Sequence, residues 1–282
     1  MNDISVWGAA LLGVVEGLTE FLPVSSTGHL KISESILGYP TDDSSVVAFT
    51  AVIQVGAIAA VVVYFLRDIL RIAGAWFTGL VRAEARSNRD YRFGWWIIVA
   101  TIPLVVVGLA AKSLIDGPLA SLWIVAASLI AGSIYMWLAE RQIARKHVIR
   151  RDEESSTFAD AMFVGSSQIL ALLFPGFSRS GASISTGLLR GLDRVAATRL
   201  SFFLSIPALV GAGVYELKDA VGGGIGAAPL IVGTVISFVV AYAVVAWLLW
   251  FVAHYTFRGF IWYRVVIAAV LFAALGVGWI DA

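Results

Sequence analysis

Six apolar blocks, at about residues 46–66, 94–111, 119–139, 199–217, 229–251 and 260–280, are each long enough to cross the hydrocarbon of a bilayer. In lipid only a helix or a closed barrel satisfies its own backbone, and blocks of this length without alternation select the helix. The expected fold is therefore an all-α, polytopic membrane protein, a single integral domain over residues 1–282. Composition agrees, since 59% of residues are hydrophobic and only 14% charged, against roughly 25% charged in soluble domains. A net charge of +1 provides no global field to draw nucleic acid, and the absence of cysteine excludes thiolate nucleophiles and thiolate metal sites. The opening Met1-Asn2-Asp3 has no basic run ahead of its apolar stretch, so no removable signal peptide is expected.

Two further apolar segments, 5–38 and 158–192, are interrupted midway by Pro, Gly, Ser and ionisable residues. Irregular backbone at membrane depth is tolerated only when buried in protein or lining a wet cavity. Each is expected to form a re-entrant helix-loop-helix hairpin that enters and leaves on one side. The loop charges set the orientation. Arg67, Arg71, Arg82, Arg86, Arg89 and Arg92 mark one cytoplasmic segment, 67–93, and Arg141, Arg145, Lys146, Arg150 and Arg151 another. Lys112 to Pro118 and Lys218 to Pro229 fall outside; Arg190, Arg194, Arg199 and the stretch His254 to Gly259 fall inside.

An internal repeat gives the same layout. Gly13, Glu16, Pro23 and Ser26 are matched in spacing by Gly165, Gln168, Pro175 and Ser178, and Phe49 with Gln54 by Phe202 with Pro207 after a one-residue slip. The halves, about 1–140 and 155–282, each hold one hairpin and three spans and are joined by the basic cytoplasmic loop. Three is odd, so the second half is inserted upside down. The expectation is an inverted-topology repeat whose hairpin tips meet near the midplane.

The first tip reads Glu16-Gly17-Leu18-Thr19-Glu20-Phe21-Leu22-Pro23-Val24-Ser25-Ser26-Thr27-Gly28-His29. Glu16 and Glu20 are i,i+4 on one helix face, an arrangement that calls for a cation, a shared proton or an arginine between them. A hard divalent ion, Mg²⁺ or Ca²⁺, suits two carboxylates and a phosphate. Pro23 ends the helix; Ser25, Ser26 and Thr27 then offer hydroxyls, and His29 is the natural proton-transfer group. The second tip reads Pro175-Gly176-Phe177-Ser178-Arg179-Ser180-Gly181-Ala182-Ser183, an arginine among hydroxyls and glycines where a helix opens. Those are the constituents of a phosphate cradle. Arg264, near one end of the last block, is expected to snorkel to the interface. Acids, a histidine and hydroxyls on one tip, facing an arginine on the other, suit phosphoryl transfer to or from a lipid phosphate reached within the membrane.

Both tip sequences resemble the two signatures of the undecaprenyl-diphosphate phosphatase family of the bacitracin-resistance type, and the resemblance extends over nearly the whole chain, Gln54-Val55-Gly56 included. It implies hydrolysis of undecaprenyl diphosphate to undecaprenyl phosphate and inorganic phosphate in the bacterial plasma membrane, at a site opening to the outer face. That reaction recycles the carrier for cell-wall synthesis and underlies bacitracin resistance. The resemblance further implies that Glu16 and Glu20 are metal or acid-base groups, that Ser26 and His29 are the nucleophile and its proton partner, and that Arg179 is the phosphate clamp. Ser25, Thr27, Gly176, Ser178 and Ser180 are expected to bind the diphosphate, and a homodimer is implied. Ser183 stands where the family commonly has Thr, and Thr50 where many members have Glu. A transporter or flippase for a phosphorylated polyprenyl lipid is the competing expectation, since broken helices are frequent in transporters. His29 and Ser26 beside two acids argue for chemistry, because anion binding alone requires neither.

Overall fold

Side chains at the ends of the apolar runs start the helices. Ser5, Asp43, Asn88 and Ser121 each accept a hydrogen bond from a first-turn amide, and Thr157 forms a reciprocal capping box with Asp160. The computed structural model describes residues 4–41, 43–111, 114, 121–145, 150–220 and 226–280, the side chains of the fifth stretch as far as Gly213. Its helices are α1 (Val6–Thr19), α2 (Ser26–Ile36), α3 (Ser44–Tyr64), α4 (Leu66–Val81), α5 (Arg89–Ala110) and α6 (Leu122–Ile143), followed by α7 (Phe158–Leu173), α8 (Arg179–Leu189), α9 (Arg194–Ala220), α10 (Ala227–His254) and α11 (Arg258–Gly276). A 3₁₀ turn, Ala83–Ser87, precedes α5. Six of the helices, α3, α5, α6, α9, α10 and α11, are long and apolar enough to cross a membrane, and they correspond to the six apolar blocks.

The segment 67–93 departs from expectation. Read as a loop from its arginines, it instead folds over most of its first half into α4. Its apolar residues recur at helical spacing, with Ile69, Ile72, Ala73 and Trp76 turned toward α5 and α9 and Leu66, Leu70 and Phe77 left exposed. Trp76 packs edge-on against Trp95 of α5 at 5.4 Å.

Each broken segment forms two short helices joined by a turn, α1 with α2 and α7 with α8. Both second helices are 11 residues long and begin after a serine with left-handed φ, Ser25 at 79° and Ser178 at 73°. Each serine oxygen accepts from the amide three residues on, Gly28 at 3.4 Å and Gly181 at 3.1 Å. The structural match of Ser178 is thus Ser25, not Ser26. The slip occurs inside the second turn, where Gly176 is the added residue; its φ of 99° is open to glycine and costly to other residues.

Packing crosses between the halves. α1 lies against α10, α7 against α5, and α3 against both α9 and α10. Close approaches use glycines, among them Gly13 and Gly165. A Cβ on Gly13 would stand 2.5 Å from the carbonyl oxygen of Gly233, and one on Gly165 2.4 Å from that of Ala100. The core between is aromatic, with Phe21 on Phe202 at 5.4 Å and Phe65 on Phe203 at 5.0 Å.

The arginines assigned inside gather at one end of the bundle. Arg194 grips the buried Glu140 of α6 through two bonds of 2.8 and 2.6 Å, and Glu140 also accepts from the Phe257 amide at the start of α11. Arg199 joins Glu153 at 2.5 Å and Asp68 at 3.0 Å, and Arg71 bridges Asp68 to Asp90. Arg151 and Arg190 both bind Asp160. Burial pushes the Asp160 carboxyl up, but hydrogen bonds from Arg151, Thr157 and Arg190 prevail and hold it at about 2. The α7–α8 hairpin opens at this end. The α1–α2 hairpin opens at the other, where Tyr39 accepts from the Ser5 amide at 3.2 Å. Lys146, and most of the two stretches assigned outside, 112–113, 115–120 and 221–225, lie outside the described residues.

Candidate functional site

The two turns meet. Arg179, first residue of α8, pairs with Oε1 of Glu20, the residue that caps α1. The other carboxylate oxygen, Oε2, accepts from the Ser26 hydroxyl at 2.7 Å. A second link runs from Ser180 Oγ to the carbonyl of Leu22 at 2.8 Å, and Ser180 Oγ lies 3.1 Å from Ser178 Oγ. Glu20, Ser26, Arg179 and Ser180, from two segments more than a hundred residues apart, are therefore joined where the turns meet. Glu20 is 6% exposed while Arg179 and Ser26 are half-buried, so the pair is accessible from the hydroxyl side. Glu16 lies fully buried one turn below Glu20 on the same helix.

His29, three residues beyond Ser26 on α2, is half-buried and has other partners. Its Nδ1 is 2.7 Å from the Ser25 carbonyl oxygen and its Nε2 is 2.8 Å from the hydroxyl of Tyr263 in α11, on which the ring also stacks at 5.5 Å. In this arrangement the Ser26 hydroxyl points to Glu20, and the two imidazole nitrogens face Ser25 and Tyr263. Thr27 is exposed beside them, and Ser25 is buried by its capping role. Gly176 is buried, its carbonyl drawn inward. Ser183, one turn along α8, donates to the Arg179 carbonyl at 2.7 Å and touches Ser201 Oγ at 2.5 Å, which ties α8 to α9 behind the arginine.

Arg264 corrects an expectation. It does not reach the interface; it is fully buried beneath both turns, donating to Pro23 O at 3.1 Å in one and to Gly176 O and Phe177 O at 3.1 and 3.0 Å in the other. The signal for it was present in the sequence: a lone arginine amid the apolar residues of α11, six residues or about 9 Å past the helix start, marks an interior function by default. Tyr263, its neighbour, carried no comparable signal.

The donors here are carboxylate, hydroxyl and guanidinium groups. Among the described residues no group of three or more His, Asp or Glu side chains could hold a metal by itself. Glu16 and Glu20 form an all-oxygen pair of the kind hard divalent ions accept, provided a ligand supplies further oxygens.

Comparison with known proteins adds an independent line. The family model of bacitracin resistance protein BacA matches residues 9–270. A protein of Frankia alni named undecaprenyl-diphosphatase 1 is 67% identical over 282 residues, the whole of both chains. Another of that name from Streptomyces avermitilis is 64% identical over 278 residues, 99% of each chain. An undecaprenyl-diphosphatase of Acidothermus cellulolyticus is 53% identical over 283 residues, again covering both chains in full.

Proposed function

The chain belongs to the bacitracin resistance protein BacA family, and from that premise we infer how its paired turns carry out the family's hydrolysis. The protein is a multi-pass membrane enzyme, an undecaprenyl-diphosphate phosphatase. It converts undecaprenyl diphosphate to undecaprenyl phosphate and inorganic phosphate. The carrier is thereby recycled for cell-wall synthesis, and bacitracin, which targets the diphosphate, is resisted.

The observation that carries the mechanism is Glu20 held between Arg179 and Ser26. Arg179 keeps the carboxylate neutralised while no phosphate is present. A diphosphate entering a cleft where the turns meet competes for the guanidinium fork, which suits phosphoryl oxygens at least as well as a carboxylate. Once Arg179 turns to the terminal phosphate, Glu20 is left free to take the Ser26 proton. Ser26 Oγ then bonds to the terminal phosphorus, and the bond from that phosphorus to the bridging oxygen breaks. The electron pair leaves with undecaprenyl phosphate. Water, giving its proton to His29, bonds to the phosphoserine phosphorus as the bond from that phosphorus to Ser26 Oγ breaks; Glu20 returns its proton to Oγ, and His29 gives up its proton as inorganic phosphate departs. Ser178, Ser180, Thr27, Ser25 and Gly176 line the diphosphate's seat. Glu16 and Glu20 would hold a divalent cation, Mg²⁺ or Ca²⁺, together with diphosphate oxygens; such an ion, when bound, offsets the substrate's negative charge.

The two hairpins are re-entrant in this reading and the halves form an inverted-topology repeat, supported by the crossed packing of α1 on α10 and α7 on α5 and by the hairpins opening at opposite ends. The basic end faces the cytoplasm and the cleft opens outward past the His29–Tyr263 pair. The homodimer that the resemblance implies is part of the same proposal, and crosslinking in membranes reads it.

The test is phosphate release by purified protein from a polyprenyl diphosphate, with and without chelator, alongside Glu16→Gln and Glu20→Gln. Release is expected from the wild type, with loss on chelation and in both variants. A wild type that moves the lipid between leaflets but releases no phosphate is a transporter. Turnover by either variant at the wild-type rate in excess chelator rules out a carboxylate-held metal.

A further inference from the structure

Arg264 supplies a buried positive charge that the chemistry above does not use. Its five donated bonds all go to protein: Nε to Ser133 Oγ at 3.2 Å, Nη1 to Pro23 O at 3.1 Å, and Nη2 to Leu129, Gly176 and Phe177 carbonyls at 3.2, 3.1 and 3.0 Å. The acceptors come from α6 and from both turns. Space for the guanidinium is made on purpose: a Cβ on Gly132 of α6 would stand 2.2 Å from Nη2 and 2.7 Å from Phe177 O.

We propose that Arg264 is a positioning residue for the phosphoryl transfer, a clasp that sets the register of one turn against the other and the direction of their peptide planes. The inference rests on the hydrolase reading above. The geometry works through the planar peptide group, in which a carbonyl and the following amide point opposite ways. No described peptide bond is cis. By drawing the Phe177 carbonyl onto itself, Arg264 turns the Ser178 amide away, toward the opening of α8 where Arg179 and Ser180 stand. By drawing the Pro23 carbonyl, it fixes the chain between Glu20 and Ser26 relative to that opening. Ser26, Glu20 and Arg179 are thus aligned by one guanidinium that touches none of them in the bonds it makes.

Lysine cannot do this, because the three donors of a compact ammonium cannot serve the five acceptors that the planar five-donor fork reaches. Misplacing reacting groups by about 1 Å costs on the order of a hundredfold in rate. Arg264→Lys is therefore expected to lower kcat about a hundredfold with KM changed less than about threefold, measured on protein that elutes as a single species in detergent. Ser133→Ala, which removes one acceptor and leaves the arginine in place, is expected to lower kcat about threefold to tenfold with KM unchanged, the equivalent of one hydrogen bond. It keeps the proposal falsifiable should the lysine variant fail to fold. A residue that merely supported the fold would lower the yield or melting temperature while the folded fraction kept wild-type kcat. That outcome in either variant overturns the positioning role and leaves the hydrolase reading intact. A wild type that releases no phosphate overturns both.

Discussion

At the scale of single residues, the proposed mechanism separates groups that would act from groups that would hold. Ser26→Ala and Arg179→Lys should each lower the hydrolysis rate on the order of a hundredfold or more, with folding intact. His29→Ala should do the same, and Thr27→Ala, at an exposed position, should be milder. Phosphate-release kinetics decide. If Ser26→Ala turns over at the wild-type rate while His29→Ala does not, a His-activated water replaces the serine as nucleophile. Most of these residues were legible because each turn carries them within a short stretch, and acids, hydroxyls and arginine in a broken apolar segment have few structural uses. What a sequence does not disclose is a partner from a distant element. Ser26 and His29 are close in sequence, and the structure gives Ser26 to Glu20 and His29 to Tyr263. Tyr263 arrives on α11, and nothing in its own neighbourhood announces the meeting.

At the scale of elements, the six spans could be read directly, since apolar length is a property of the segment alone. α4 could not, because Arg67 and Arg71 break its apolar run and give the segment the charge of a loop while its apolar residues keep helical spacing. The two broken segments share the spacing of their first helices, and the second turn holds one residue more, Gly176 with its φ of 99°. The glycines on the crossed interfaces yield a direct test. Gly13→Val and Gly165→Val each place a Cβ within 2.5 Å of a carbonyl on the facing helix. Each should cost about 1–3 kcal/mol by forcing the helices apart, seen as a lower midpoint of thermal unfolding in detergent. An unchanged midpoint in either variant contradicts the close packing of α1 on α10 or of α7 on α5.

At the scale of the whole molecule, the ion pairs among α4, α5, α6 and α9, the 150–160 segment and Arg190 at the end of α8 collect basic residues at one end. The topology follows from which side that end faces. The chain has no cysteine, so single substitutions Ala85→Cys and Asp116→Cys can be labelled without background. In intact cells an impermeant thiol reagent should mark position 116 and spare 85; the reverse pattern inverts the orientation and moves the cleft to the cytoplasmic side. The crossed packing also governs how the protein is made. α10 begins at Ala227, so at a translation rate of about 5–20 residues per second its synthesis trails that of α1 by about 10–40 s. Throughout that interval α1 is in the nascent chain without the helix that will cover its glycine face, and both its carboxylates precede the arginine made in the other half. The first hairpin must be kept in a provisional place during biogenesis, and the two turns are clasped by Arg264 only when the last third of the polypeptide leaves the ribosome.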